Sequence, residues 1–242
     1  MNRLAADVKP ATVNREASII GALFKWAASR NYVAENPTRN LLKPSEKGNA
    51  RELYLTADET AALVASAPEP FRSVLLCGLH TGMRRGEILW LRWTDVDLDA
   101  STIRVSAAAS KTREGRTIPL TAPLRALMRL LRTMRPNIAN GYVFAPEART
   151  RDQRAWVVTQ GLRRTKSAAR EGKSIPADKL DGLRFHDIRH TAASLMVAQG
   201  VPLFDVGKVL GHKSAQTTLR YAHFAPKAGR AAIDALERAL AG

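Results

Sequence analysis

Apolar residues recur at helical spacing along most of the chain, and short alternating runs replace that pattern only between residues 93 and 120. Near the N-terminus the periodic pattern predicts a helix over residues 12–30, with Thr12 as its N-cap. The apolar positions that define this helix are Ile19, Leu23 and Trp26. A single amphipathic helix this close to the N-terminus indicates a small helical segment ahead of the main fold.

A polar stretch over residues 42–51, with proline, serine and glycine, interrupts the apolar pattern. Such composition is typical of a linker. We therefore predict two parts, a short helical N-terminal piece with its linker over residues 1–45 and a main domain over residues 51–242.

The main domain begins with Thr56-Ala57-Asp58-Glu59, the pattern of a helix-initiating capping box. The alternating runs in residues 93–120 predict a small antiparallel sheet with a hairpin whose tip carries Lys111. Further helices are predicted near residues 70–79, 87–91, 124–131, 151–170, 187–199, 202–210, 214–223 and 228–240. The expected fold class is mainly α with a small antiparallel β-sheet.

Charge narrows the range of partners more than any other bulk property. Lysine and arginine number 38 against 22 acidic residues, a formal net charge of +16, with an isoelectric point near 10.7. A surface this basic favours a polyanion, and nucleic acid in particular. Cys77 is the only cysteine, which excludes an internal disulfide and favours a core position. Because we see no signal peptide and no membrane-spanning run, we expect a cytoplasmic, nucleoid-associated protein without membrane contact.

Five segments combine residue types suited to breaking a phosphodiester. They are TGMRRGE at 81–87, SKT at 110–112, HDIRH at 186–190, LGHKS at 210–214 and TTLRY at 217–221. Strand exchange needs a covalent nucleophile to conserve bond energy, fixed cations for the phosphate oxygens and a proton donor for the leaving hydroxyl. A tyrosine, arginines, histidines and a lysine meet these needs, although each taken alone has an ordinary structural explanation.

Taken together, the segments TGMRRGEIL, SKT, HDIRHTAA and LGHKSAQTTLRYAH resemble the signature boxes of the tyrosine recombinase, or phage integrase, family. Their order and spacing match, including a tyrosine nine residues after the histidine of the LGH box. The resemblance covers residues from about 51 to 225. Residues 12–37 also resemble the last helices of that family's core-binding (SAM-like) domain.

The resemblance implies a catalytic role for six residues. They are Arg84, Lys111, His186, Arg189, His212 and Tyr221. In this comparison Tyr221 is the nucleophile, the arginines and His212 hold the phosphate, His186 assists proton transfer and Lys111 is the general acid. Glu87 matches an acidic residue that orients the arginines. The resemblance implies no cofactor and no metal.

The same resemblance implies site-specific cleavage and rejoining of double-stranded DNA by four protomers on two sites, aided by DNA-bending accessory proteins. Candidate DNA contacts are Arg15, Lys25, Arg30, Arg39, Arg85 and Arg113. The amphipathic tail over residues 228–240 has two alternatives, docking on a neighbouring protomer or folding back on its own domain.

Two alternatives remain open at this point. A type IB topoisomerase uses similar residues, and a DNA-binding remnant would keep the fold without recombining. Only about 45 residues precede the main domain, whereas the family has a fuller core-binding domain and often an arm-binding domain. The chain is therefore expected to be a fragment, the product of a misassigned start or a naturally shortened element.

Overall fold

The computed structural model describes residues 8–45, 53–106, 115–134, 141–144, 150–226, 233 and 236–240. The chain divides into two units, Met1–Glu52 and Leu53–Gly242. The predicted hairpin tip, with Lys111 and Arg113, lies outside the described residues. Of the predicted tail helix, residues 233 and 236–240 are helical.

The described part of the first unit contains one helix, α1 (Pro10–Ser29). The predicted start at Thr12 is wrong by two residues, because proline occupies the first turn, where its missing N–H is not needed. The chain after α1 runs back along the helix, and the side-chain amide of Asn36 donates to the carbonyl of Gly21. Three apolar side chains of α1 are more than half exposed in this unit. They are Ile19, Leu23 and Trp26.

The second unit is mostly helical with one small sheet, as predicted. Its helices are α2 (Ala57–Ala65), α3 (Phe71–Thr81), α4 (Arg85–Leu89), α5 (Ala122–Thr133), α6 (Arg151–Glu171), α7 (Ala177–Gly182), α8 (Phe185–Ala198), α9 (Leu203–Leu210) and α10 (Ala215–Leu219). Its strands are β1 (Val96–Asp97), β2 (Thr102–Val105) and β3 (Arg116–Pro119), which pair antiparallel in that order. Short 3₁₀ turns occupy Trp93–Asp95 and Ala222–Phe224.

Several helix boundaries differ from the predicted ones for local reasons. Helix α8 begins at Phe185 rather than 187, because the backbone N–H of Arg184 donates to the Asp187 carboxylate at 2.7 Å. Helix α10 ends at Leu219 rather than 223, where the chain turns to place Tyr221 in a small apolar cluster. Helix α7 was not predicted, because six residues carry too little periodic pattern.

The core forms where α3 packs against α6 and α8. Cys77 is buried there as expected, and burial raises the pKa of its thiol to about 12. Gly161 of α6 lies directly on Phe71 of α3, where a Cβ on residue 161 would meet the Phe71 Cβ at 2.3 Å. The two helices approach this closely only because residue 161 has no side chain. None of the described helices is both long and apolar enough to span a bilayer.

Gly161→Ala should destabilise the fold by roughly 2 kcal/mol, since the added methyl overpacks a fully buried contact. Gly86→Ala is the matched control, because a Cβ there meets nothing within 4 Å and alanine favours a helix by up to about 1 kcal/mol over glycine. Urea unfolding of both variants measures the difference. Equal stability of the two variants would contradict the assigned α3–α6 contact.

Candidate active site

A buried carboxylate organises the basic residues of the second unit. Glu87 on α4 is 3% exposed, and each of its oxygens accepts two hydrogen bonds. Oε1 accepts from Nη1 of Arg84 at 3.0 Å and from Nη1 of Arg116 at 3.2 Å. Oε2 accepts from the Arg84 backbone N–H at 2.9 Å and from Nη2 of Arg116 at 2.7 Å. With both oxygens saturated, Glu87 can hold arginines but has no lone pair left for proton transfer.

The pKa of Glu87 reflects this environment. Burial alone would raise the pKa of Glu87. The hydrogen bonds and the charge of Arg116, together with the hydrogen bonds of Arg84, outweigh burial and hold the pKa below its ordinary value. The carboxylate therefore stays ionised, and it fixes the direction of both guanidinium groups.

Arg189 on α8 is held by backbone carbonyls at two helix ends. Its Nη1 donates to the carbonyl of Gly82 at 2.8 Å, and its Nη2 donates to the carbonyl of Leu210 at 2.7 Å. Arg84 makes the same kind of contact, from Nη2 to the carbonyl of Gly211 at 3.3 Å. Burial and the nearby charge of Arg84 lower the pKa of Arg189 to about 10, so the guanidinium remains charged at neutral pH.

The glycines at these helix ends have a conformational reason to be there. Gly82 ends α3 with φ of 62° and Gly211 ends α9 with φ of 68°, a left-handed backbone that a side chain would strain. The turn leaves the last carbonyls of each helix directed away from the helix, where the partial negative charge of the C-terminus favours a cation. The two motif glycines therefore shape the site around Arg84, Arg116 and Arg189, which we call the arginine pocket.

His212 follows the second of these glycines and is fixed through α10. Its Nδ1 is 2.8 Å from the Thr218 hydroxyl. Thr218 can pack this closely against α9 because Gly207 lacks a Cβ, which would lie 3.0 Å from Oγ1 of Thr218. Burial, followed by the charges of Arg189 and Arg84, lowers the pKa of His212 to about 4. The imidazole is therefore neutral at physiological pH.

Tyr221 is 4% exposed and packs in a small apolar cluster formed by α8 and α9. Its hydroxyl lies 2.6 Å from Nδ1 of His190. Burial raises the pKa of the phenol, while Arg220 and Arg189 act in the opposite direction.

His186, one helical turn before His190, is exposed and meets the His190 ring edge-on with 4.8 Å between centroids. Loss of solvation and the charge of Arg189 lower the pKa of His186.

The fold thus brings five of the six predicted catalytic residues close enough to affect one another electrostatically, and Lys111 lies outside the described residues. The five are Arg84, His186, Arg189, His212 and Tyr221. Sequence reasoning missed Arg116 and His190. Arg116 lies two residues before the buried Ile118, on the same face of β3, and His190 lies four residues after His186 on α8. Both spacings were visible in the sequence.

Among the described residues, no three histidine, cysteine, aspartate or glutamate side chains are grouped as metal ligands would be. Hydrogen-bond donors and fixed positive charge dominate the site. It is suited to holding an anion beside a tyrosine hydroxyl.

The predicted DNA contacts fall in two places. Four of them are exposed in the first unit. They are Arg15, Lys25, Arg30 and Arg39. Arg85 is exposed in the second unit and lines a basic cleft of about 850 Å³ between α6 and the start of α8. Its other cationic lining residues are Arg163, Arg164, Lys166, Arg170 and Arg184.

Comparison with known proteins places these features in a family. The family model described as "Phage integrase family" matches residues 50–228. The integrase of Salmonella phage P22 is 28% identical over 225 residues, covering 90% of this chain and 56% of that protein. A XerC-like tyrosine recombinase of Caldanaerobacter subterraneus subsp. tengcongensis is 25% identical, covering 93% and 65%. The chain thus spans between about half and two thirds of the length of these relatives.

Solved structures share the fold at lower identity. The Tn1549 transposon integrase in complex with circular intermediate DNA has a TM-score of 0.72 at 17% identity, covering 98% of this chain and 82% of that one. The catalytic domain of bacteriophage HP1 integrase has a TM-score of 0.55 at 22% identity, covering 76% and 95%. Because the family model matches most of the second unit, motifs and arginine pocket included, the chain belongs to the phage integrase family.

Proposed function

We propose that this chain is the catalytic portion of a site-specific DNA recombinase that cuts and rejoins strands through Tyr221, without metal or ATP. The observation that carries the proposal is the pairing of two fixed guanidinium groups, Arg84 and Arg189, with a buried tyrosine in the same unit. Family membership supports the same reaction, since named relatives are integrases and tyrosine recombinases.

The phosphate is proposed to bind between the arginines and His212. Arg84 and Arg189 are held from behind by carbonyls and by Glu87, so their remaining N–H groups can meet the non-bridging oxygens with little reorganisation. His212 is neutral, and when its Nδ1 accepts from Thr218 the opposite nitrogen carries the proton and donates to the phosphate.

The chemical step begins when the Tyr221 oxygen attacks phosphorus in line with the 5′ leaving oxygen. The product is a 3′-phosphotyrosyl link and a free 5′-hydroxyl, and a partner strand's 5′-hydroxyl reverses the step. The motif resemblance alone assigns Lys111 as general acid and gives His186 a part in proton transfer.

Double-stranded DNA is the proposed substrate, and the basic cleft is its proposed path beside the active site. Arg170 of this cleft pairs with Asp181, and Lys166 donates to the carbonyls of Asp181 and Leu183. Four other arginines of the cleft are exposed to solvent. They are Arg85, Arg163, Arg164 and Arg184. Arg85 directly follows Arg84 in the chain, and Arg184 directly precedes α8, which carries His186 and Arg189, so we expect the cleft to adjoin the site.

A tetramer on two DNA sites is proposed from the resemblance, together with accessory DNA-bending proteins. The described tail positions support docking on a neighbouring protomer over folding back. Three apolar side chains of the tail are more than half exposed within the chain. They are Ile233, Leu236 and Leu240.

Tyr221→Phe should abolish covalent capture of DNA while leaving the fold and DNA affinity unchanged, since only the phenolic oxygen is lost. The substrate is a nicked duplex selected by covalent capture on the unmodified chain from a randomised pool. Denaturing gels detect the adduct. An adduct persisting in the variant would place the nucleophile elsewhere, and relaxation of supercoiled plasmid without site preference would favour a topoisomerase.

Arg84→Ala and Arg189→Ala should each slow single-turnover cleavage at least about a hundredfold, as for the loss of one oxyanion donor worth roughly 3 kcal/mol. DNA affinity should fall far less. Arg129→Ala on α5, where the side chain is exposed, is the control and should leave cleavage unchanged. A parallel fall in affinity and cleavage rate would make these arginines ordinary phosphate contacts.

Arg163→Ala and Arg164→Ala should weaken DNA binding and each lower the slope of log affinity against log salt by about one phosphate contact. Cleavage at saturating DNA should stay unchanged, because both side chains lie in the cleft rather than around the arginine pocket. Fluorescence anisotropy at several salt concentrations measures the slope. An unaltered slope in both variants would remove the cleft from the DNA path.

A further inference from the structure

The nucleophile assigned above has a hydrogen-bond partner that the motif comparison leaves without a role. The Tyr221 hydroxyl is 2.6 Å from Nδ1 of His190, whereas the motifs give the proton-transfer role to His186. His190 is half-buried on α8, and Tyr221 reaches it from the turn after α10. This contact therefore links α8 to the turn after α10 at the Tyr221 oxygen, the atom proposed to attack phosphorus.

Attack on phosphorus requires the phenol to lose its proton, which costs free energy near neutral pH because a free tyrosine has a pKa of about 10. Burial raises the pKa of Tyr221 further, against the opposing charges of Arg220 and Arg189. A base already hydrogen-bonded to the hydroxyl removes this obstacle, because geometry within reach is the first requirement of a general base.

We propose that His190, rather than His186, accepts the proton of Tyr221 during strand cleavage. The inference rests on the proposed recombinase function. As the Tyr221 oxygen bonds to phosphorus, its O–H bond breaks and an N–H bond forms at Nδ1 of His190. The bond from phosphorus to the 5′ oxygen breaks, and that oxygen takes a proton from the general acid, assigned to Lys111. Rejoining runs the same transfers in reverse, so the phenol recovers its proton from His190.

The first experiment tests the contact without DNA. Difluorotyrosine is incorporated at position 221 of the full chain, and fluorine NMR compares unmodified His190 with His190→Ala and His190→Asn. We expect a clear shift of the resonance with alanine and a smaller one with asparagine, whose amide oxygen also accepts a hydrogen bond. His223→Ala, an exposed histidine two residues from Tyr221, is the control and should leave the resonance in place. A resonance insensitive to His190 overturns the proposal whether or not the chain recombines DNA.

The second experiment tests proton transfer on the captured nicked duplex. His190→Ala and His190→Asn should each slow single-turnover cleavage by about a hundredfold, within the usual range for a general base, with unchanged DNA affinity and thermal melting. Asparagine keeps a hydrogen bond but is a very weak base, so it separates proton transfer from positioning.

Difluorotyrosine at 221, a more acidic phenol, should reduce the loss in both His190 variants to less than about tenfold. Normal cleavage by His190→Asn, or no rescue by the acidic phenol, overturns the proton-acceptor role while leaving Tyr221 as nucleophile. Absence of any covalent capture by the unmodified chain, with the NMR contact intact, overturns the recombinase function and the proton transfer that depends on it.

Discussion

The arginine pocket depends on the buried carboxylate of Glu87. Arg84, Arg116 and Arg189 bring like charges into one partly desolvated region, an arrangement that repels itself unless an opposite charge and hydrogen bonds compensate. Glu87 supplies both, because its two oxygens accept four N–H groups from Arg84 and Arg116. Removing this carboxylate would leave the guanidinium groups of Arg84 and Arg116 without an opposite charge. The fold around the site thus depends on a residue that cannot itself react.

Carbonyl groups at helix ends also help to compensate the positive charges of the arginines. The C-termini of α3 and α9 direct carbonyls at Arg189, and the glycine after α9 does so for Arg84. Two sequence motifs that are far apart, one containing Gly82 and one containing Gly211, therefore serve the same arginine pair. The last carbonyls of a helix have no partner within the helix, and the arginine N–H groups supply one. The same hydrogen bonds therefore stabilise the helix ends and hold the arginines in position.

The mainly helical fold with its small sheet was predictable, because periodic apolar positions and turn residues record local structure. The candidate catalytic residues became recognisable only through the order of the motifs, since an isolated arginine or histidine carries no such signal. Arg116 and His190 were missed because their importance comes from contacts across the fold, to Glu87 on α4 and to Tyr221 beyond α10. Helix α7 and the early end of α10 depend on packing that a periodic pattern does not record.

The charge balance of the pocket explains how it would favour a transition state over a ground state. Arg84, Arg116 and Arg189, together with the ionised Glu87, leave two positive charges in this group, and His212 adds none because its pKa of about 4 keeps it neutral. Arg220 contributes a further positive charge near Tyr221. A phosphodiester cancels one of the two charges of the group, and the pentacovalent species formed during attack carries a second negative charge that cancels the other. Stabilisation therefore grows as the reaction proceeds, which is the condition for catalysis rather than mere binding. Arg189 and Glu87 both keep their charge across the neutral pH range, so their contribution to this stabilisation is constant. Dependence of the rate on pH is then expected from the groups that do titrate, among them those that transfer protons at the nucleophile and the leaving oxygen.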